Sequence, residues 1–402
     1  MSYLLFTLEF PPQKGGVGKY YANLAKYWPD GNFFVLADGQ PQQDDAPNIL
    51  RRKLLFKYIR PRWLLALWQL YRLWGCHSPR TRGCGTLFAK FHSKNKVLHI
   101  GFHSPKGTME PPTNKHVIVG QILPLGIATY FLSKIFKFKY SIILHGLDFS
   151  LSLKKSKLTG KILNNAEKII CGNGYTASQV AKFNRHLQDK ISTVNPGIET
   201  VFIRHPQKIK ELKEKYSLNN KIVLFGLGRL VARKGFDKAI EAVAMISEKA
   251  PNLVLVIGGS GPEKENLEKK INSLPEEIKK KIILLGGISD KECWAWLELC
   301  DIFIMISRQI AGDYEGFGIV YLEAGLAGKP VIAGDSGGVR DAVFNGINGF
   351  LVNPENIESI SEAILSLYEN KSLRNELGAQ GQRRVVETLT AKKQAEKIYN
   401  IL

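Results

Sequence analysis

Along much of the chain, short contiguous apolar runs alternate with amphipathic stretches, the pattern of a parallel sheet whose faces are covered by helices. Residues 3–8 form the first such run, and Pro11, Pro12 and a glycine turn lead from it into a helix near 20–27. Further strands are predicted at 117–119, 140–144 and 168–171. After Asn195-Pro196-Gly197 the alternation becomes regular, with strands at 221–225, 253–257, 281–285, 302–306 and 330–333. Between them, helices are predicted over 236–249, 262–273, 289–300 and 319–327. Ser289 and Glu292 stand at capping-box spacing, which marks the start of one of these helices. Helices at 357–368, 371–387 and 391–402 complete the pattern.

Two stretches stand apart. Residues 62–74 are strongly apolar and aromatic, with Trp63, Trp68 and Trp74 among them; they read as a helix buried on a sheet, with a helix lying in a membrane interface as the alternative. Residues 75–116 carry no sustained period and are long for a loop inside a compact domain.

A chain of 402 residues exceeds what one hydrophobic core usually serves, so two lobes with a cleft between them are expected. Its 44% hydrophobic and 23% charged content excludes a disordered chain. Fifty-six Lys and Arg against 36 Asp and Glu leave a net charge of +20, enough to draw in anionic partners: phosphorylated small molecules, an anionic lipid surface or nucleic acid. Much of the excess lies in the first half, at Arg51-Arg52-Lys53, around residues 134–139, and at Lys154, Lys155 and Lys157. Five scattered cysteines do not make a disulfide framework and point to a reducing compartment. Cys76, His77, Cys84, His92, His99 and His103 are zinc-capable types without a Cys-x-x-Cys pair, so no metal site is predicted from them. The first residues lack the basic and long apolar segments of a signal peptide, and a cytoplasmic location is expected, with attachment to the inner face of the plasma membrane open.

Five loops that each follow a strand and precede a helix carry the candidate chemistry, in the position where open parallel sheets bind ligands. Lys14-Gly15-Gly16-Val17-Gly18-Lys19 lets backbone amides approach a phosphate at a helix end. With Ala37-Asp38-Gly39-Gln40-Pro41-Gln42 it also resembles the loop of partition-type ATPases, although Tyr20 stands where such a loop needs the aliphatic hydroxyl of Ser or Thr for magnesium. In the second loop, Gly228 precedes Arg229 and Lys234, a fork and a point charge suited to a departing diphosphate. Gly258-Gly259-Ser260-Gly261-Pro262 forms the third. The fourth holds Glu315 and Glu323 eight positions apart, carboxylates able to accept hydrogen bonds from sugar hydroxyls; the amides of Phe317, Gly318 and Ile319 open a helix between them. His145-Gly146-Leu147-Asp148 is the fifth, where a strand-end histidine is as compatible with a core role as with a functional one.

Together, Phe10-Pro11-Pro12 with Gly15-Gly16, the His145 loop, Asn195-Pro196-Gly197, Gly228-Arg229-Leu230 with Arg233-Lys234-Gly235, and Glu315/Glu323 followed by Gly328-Lys329-Pro330-Val331 resemble family 4 retaining glycosyltransferases. The resemblance implies an α/β GT-B fold, two Rossmann-like domains whose parallel sheets face each other across a cleft. It implies an acceptor-side domain over 1–199, a nucleotide-sugar-binding domain over 200–387, and a final helix, about 388–402, crossing back to the first. By the same resemblance Glu323 binds the donor ribose, Glu315 contacts the transferred sugar, and Arg229 and Lys234 hold the diphosphate, with Gly15, Gly16 and Gly228 allowing close approach. His145 then lies beside sugar and acceptor, Ile288 near the base, and neither metal nor cofactor is required. The stretch from Glu315 to Glu323 and residues 331–338 are most similar to the phosphatidylinositol mannosyltransferase branch. That branch implies GDP-mannose as donor and work at an anionic membrane; the wider family resemblance implies a hexose, mannose or glucose, from GDP-mannose or a UDP-sugar, and a glycan or lipid-linked acceptor, with no nucleic acid. A partition-type ATPase using Lys14 and Lys19, and a charge-driven membrane- or nucleic-acid-binding module, are the alternatives.

Overall fold

A computed structural model describes residues 1–12, 15–55, 63–75, 91–93, 96–98, 115–201 and 204–402. The first lobe is built on a seven-stranded sheet formed by β1 (Ser2–Thr7), β2 (Phe33–Asp38), β3 (Ile49–Arg52), β6 (Lys115–Val119), β7 (Lys139–Leu144), β8 (Ile169–Cys171) and β9 (Ile191–Thr193). Its order is β3-β2-β1-β6-β7-β8-β9, and every pairing is parallel. A small antiparallel hairpin, β4 (Phe91–Ser93) and β5 (Lys96–Leu98), stands apart from it.

Alternation along the strands decides which helices cover which face. Leu4 and Phe6 of β1, with Tyr140, Ile142 and Leu144 of β7, point to one side, where they pack with α3 (Leu125–Phe136) and α5 (Ser156–Asn165). Tyr3, Leu5 and Ile143 point to the other, against α1 (Gly16–Lys26) and the last helix, α16 (Ala391–Ile401). The apolar stretch near residue 63 becomes α2 (Leu64–Gly75), whose Ala66 and Leu70, one turn apart, are fully buried against α3. That favours the buried reading of this helix over an interfacial one. Of the histidines and cysteines between 76 and 103, only His92 falls on a described residue.

The second lobe has a six-stranded parallel sheet of order β12-β11-β10-β13-β14-β15. Its strands are β10 (Ile222–Leu227), β11 (Leu253–Gly258), β12 (Ile282–Gly286), β13 (Ile302–Met305), β14 (Val331–Gly334) and β15 (Gly349–Val352). In the first lobe the remaining helices are α4 (Leu147–Ser152) and α6 (Gly174–Phe183); α7 (Pro206–Lys215) leads into the second. There the strands alternate with α8 (Phe236–Met245), α9 (Lys264–Asn272), α10 (Glu276–Lys279), α11 (Asp290–Leu299), α12 (Ile319–Leu326) and α13 (Val339–Ala342). Finally come α14 (Ile357–Glu369), α15 (Lys371–Thr388) and α16. The capping box at Ser289 is present, with the Ser289 hydroxyl accepting from the Glu292 amide and the Glu292 carboxylate accepting from the Ser289 amide.

Four strands of the two parallel sheets were absent from the predicted pattern, β2, β3, β9 and β15, as was the β4–β5 hairpin. β3, β9 and β15 are only three or four residues long and lie at sheet edges, too short for a periodic signal.

The lobes are joined at two crossovers that bond to each other. The amide of Ile198 donates to the carbonyl of Leu389, and that of Ala391 donates to Ile198, both at 2.9 Å. Beside them the Gly197 amide donates to the Gln394 side chain at 2.6 Å. α16 therefore leaves the second lobe and packs on α1, where Ala395 and Ile398 are fully buried and Tyr399 meets the Trp28 ring edge-on at 5.5 Å.

Candidate functional site

The loop after β10 turns through a short 3-10 segment, residues 232–234, into Gly235, whose φ of 65° is in the left-handed region. A Cβ there would stand 1.8 Å from the carbonyl oxygen of Ile306, so only glycine lets this turn settle against the end of β13. The consequence is that Arg233 and Lys234 are delivered to the carboxylate of Glu315. Lys234 Nζ lies 2.5 Å and Arg233 Nη1 2.8 Å from Glu315 Oε2, and the Ser307 hydroxyl donates to the same oxygen at 3.3 Å. Burial by itself would raise this carboxyl, but Lys234 and Arg233 outweigh it and hold the pKa at about 2.

The two basic residues expected to act on a diphosphate differ in exposure in this structure. Lys234 is buried on Glu315, whereas Arg229 is exposed at the rim of its loop. The guanidinium that reaches Glu315 is that of Arg233, which also contacts Asp313 Oδ2 at 3.1 Å and which the sequence offered only as part of a motif. Gly228 lies beside the Lys234 stem: a Cβ on it would be 3.7 Å from Lys234 Cε.

Glu323 occupies a different electrostatic environment. Gly318 caps α12, Phe317 is buried just before it, and Ile319 begins the helix. A Cβ on Gly16 would come within 3.3 Å of Ile319 Cδ1, so the N-termini of α1 and α12 face each other across the lobes, and Gly15 caps α1. Two helix starts bring unpaired amides and two positive dipole ends to one place, an arrangement that favours an anion. One turn into α12, Glu323 Oε1 is 3.7 Å from Lys19 Nζ of the opposite lobe. Burial raises the Glu323 carboxyl, with Lys19 acting against that shift and Asp290 adding to it. Ile288 sits over the end of β11, its Cδ1 3.1 Å from where a Cβ of Gly258 would be.

At the tip of β7, His145 Nε2 is 2.9 Å from the hydroxyl of Tyr21, and that hydroxyl donates to the Gly120 carbonyl at 2.6 Å. Tyr21 has one proton to give, so Nε2 must carry hydrogen and Nδ1 keeps its lone pair. Tyr21 was not flagged as functional, because it lies in an apolar helix pattern that reads as core, and Lys19 was flagged only within the glycine loop and for the ATPase alternative, not as a partner of Glu323. Asp148 Oδ1 accepts from the amides of His145 and Gly146, both at 3.0 Å. The other carboxylate oxygen, Oδ2, has no protein partner.

Burial pulls His145 down to about 4 and pushes Asp148 up to about 6, although backbone amides partly offset the latter. The two shifts act on stability with opposite signs. Between pH 6.5 and 4 the unfolded His145 binds more protons than the folded one, so its contribution is lost as pH falls through that window. Between pH 3.8 and 6 the folded Asp148 binds more protons, so acidification stabilises it. Asp148→Asn keeps the amide acceptor while removing the opposing titration. Its denaturation midpoint is expected to fall more steeply than the parent's between pH 6.5 and 4, and parallel profiles would refute this pairing.

Further contacts span the lobes on the same side. Asp341 Oδ2 accepts from the Gly174 amide at 2.6 Å and from Asn195 Nδ2 at 3.1 Å, and the hydroxyls of Thr176 and Tyr314 meet at 3.3 Å. Gly316 lies against the His145 carbonyl; a Cβ on it would be 2.4 Å from that oxygen. Lys14 falls outside the described residues, while Lys19 pairs with Glu323 and Asp38 Oδ1 caps the Leu54 amide at 2.7 Å.

The family profile described as "Glycosyl transferases group 1" matches residues 208–384. A GDP-mannose-dependent alpha-(1-6)-phosphatidylinositol monomannoside mannosyltransferase of Mycolicibacterium smegmatis is 32% identical over 226 residues, 55% of this chain and 58% of the relative. The match thus spans little more than half the length of that enzyme. An uncharacterised glycosyltransferase of Methanocaldococcus jannaschii is 30% identical over 267 residues, 64% of this chain and 67% of its own. In fold, the chain is similar to Anabaena HepE in complex with UDP, with a TM-score of 0.75 at 16% identity, covering 100% of this chain and 99% of that one. That likeness makes the two-lobed α/β architecture GT-B, and no observation supports the partition-type ATPase alternative. With two parallel-sheet lobes, the loop carrying Arg233 and Lys234, and the Glu315/Glu323 helix inside the matched region, the chain belongs to the group 1 glycosyltransferases.

Proposed function

We propose that the cleft between the lobes binds a nucleoside-diphosphate sugar and transfers its hexose, with retention, to an acceptor hydroxyl. The observation that carries this reading is the meeting of two helix N-termini, from Gly16 and Ile319, beside a lysine and an arginine already gathered on Glu315. A diphosphate would meet amides and cations there, and it gains negative charge as it leaves, so they would stabilise the transition state more than the ground state. Lys234 and Arg233 would be shared between Glu315 and the diphosphate, with Arg229 adding a contact from the rim.

In this reading Glu323 exchanges Lys19 for ribose hydroxyls, Glu315 accepts from hydroxyls of the transferred sugar, and Ile288 packs on the base. His145, hydrogen-bonded through Nε2, turns its Nδ1 lone pair toward the sugar. The bond from the anomeric carbon to the diphosphate oxygen breaks on the face from which the acceptor hydroxyl enters. The acceptor oxygen bonds to that carbon, and its proton passes to the departing phosphate oxygen. Residues 1–199 with the returning segment 388–402 form the acceptor-side unit, and 200–387 the donor-side unit. GDP-mannose is the donor favoured by the named mycobacterial relative, and a UDP-sugar is the second. A lipid-linked or glycan hydroxyl is the proposed acceptor.

A panel of nucleoside diphosphates tests the donor site by thermal shift, since a ligand at a hundred times its Kd adds about 2.7 kcal/mol to the native state. One of GDP or UDP is expected to raise the melting temperature, and Glu323→Ala to abolish the shift and hexose transfer. A panel in which no nucleoside diphosphate moves the transition would overturn the assignment.

A further inference from the structure

The described residues expose twelve large hydrophobic side chains, and five of them fall between Phe131 and Leu153. Phe131 and Ile135 stand one turn apart on α3, 44% and 67% exposed. Leu147 and Leu151 belong to α4, and Leu153 opens the turn that links it to α5; they are 43%, 54% and 41% exposed. Isolated exposed apolar residues need no explanation, but a group of five confined to neighbouring helices does.

The polar residues among them carry one sign. From Phe131 to Lys161 the chain has seven lysines, at 134, 137, 139, 154, 155, 157 and 161, and one acidic residue, Asp148. All seven lysines are exposed, whereas Asp148 is half-buried beyond the tip of β7 and already engaged with the amides of His145 and Gly146. Two of the seven have protein partners: Lys139 pairs with Glu167 at 2.5 Å, and Lys134 bonds the Asn165 side chain. α3 and α5 pack side by side, as the bond from Lys134 to Asn165 and the seating of Gly126 against Ile162 require, and α4 runs through the Leu153–Lys155 turn directly into α5, so the helices that carry these lysines and apolar side chains adjoin on the first lobe.

We propose that this flank docks on an anionic lipid bilayer, with Phe131, Ile135, Leu147, Leu151 and Leu153 entering the headgroup boundary and the lysines contacting lipid phosphates. Charge complementarity selects this occupant: a protein partner would need to match a surface with several lysines and no free carboxylate, whereas an anionic leaflet matches it by its nature. α4 begins two residues after His145, so docking brings the cleft to the membrane surface, where a lipid-borne acceptor can reach it. Only that last consequence rests on the proposed transferase reading; the docking itself does not.

Flotation with vesicles of phosphatidylcholine alone, or of phosphatidylcholine mixed with phosphatidylglycerol, tests it. The protein is expected to float only with the mixed vesicles. Replacing Lys154, Lys155 and Lys157 with Gln should lower partitioning about a hundredfold, at roughly fivefold per lysine near an anionic surface. Ile135→Ser with Leu151→Ser should abolish the fraction that stays bound at high salt. Lys249, Lys269 and Lys280, exposed on the second lobe, supply the control: changing these to Gln should leave binding as it was. An equal loss from the control set would mean diffuse attraction by the net charge and would overturn the proposal, as would equal flotation on both vesicle types. Each variant is also tested for its thermal shift with nucleoside diphosphate, which should persist, so failure of docking is distinguishable from failure of the donor site.

Discussion

Lys234→Met should cost about 3 kcal/mol of stability and slow hexose transfer by roughly a hundredfold or more. The stability loss follows from burial: Lys234 and Glu315 are 8% and 7% exposed, so removing the ammonium leaves a carboxylate that has lost its shortest contact. Arg233 and Ser307 remain on Glu315, which keeps the cost at the low end of the range for a broken buried pair. The acid profile supplies a signature. Glu315 is held at about 2, below its ordinary 4.5, so its ion pairs stabilise the fold fully above pH 4.5 and lose that effect as pH falls toward 2. In Lys234→Met this acid-sensitive increment should shrink. Adding Glu315→Gln should recover much of the stability and none of the turnover, because the buried charge goes while the proposed contact to the diphosphate is still missing. Wild-type turnover in Lys234→Met, measured with saturating donor, would remove Lys234 from the proposed chemistry.

The second large effect is expected at Gly316→Ala. Its new methyl group would lie 2.4 Å from the carbonyl oxygen of His145, a backbone atom of the other lobe that cannot rotate away. Each lobe can still fold, since the clash arises only where they meet, but the lobes can no longer approach as closely. A misplacement near 1 Å of groups that must jointly hold a substrate costs about a hundredfold in rate. Transfer should drop by that order while each lobe keeps its hydrogen-exchange protection, and the radius of gyration with donor bound should exceed the parent's. An alanine variant with unchanged kcat/KM would show that this contact is not made during turnover.

The second lobe was largely legible in the sequence, because its strands and helices are long enough to show both periods and its loops carry glycines that tight turns demand. β10 to β14 and the helices α8, α9, α11 and α12 lie within a few residues of their expected places, while the four-residue α10 was not expected. The first lobe was harder to read. β3 ends in two arginines, and Arg51 is buried because Asp45 receives its guanidinium at 2.8 Å, a pairing that no period can announce. Glu315 and Lys234 were readable as candidates by residue type and motif, but not their contact with each other, which depends on Gly235 folding the loop over β13. Lys19 facing Glu323, and Tyr21 holding His145, are meetings of residues 304 and 124 positions apart, and nothing local in either partner signals the other.

The two chain segments that pass between the lobes, at Ile198 and at Leu389 to Ala391, are tied into one joint. Because those two chain segments are hydrogen-bonded to each other, neither can shift alone, and sliding one half past the other would break both bonds together. Any opening of the proposed donor cleft would therefore turn about that joint, and the gap would widen most at the point farthest from it.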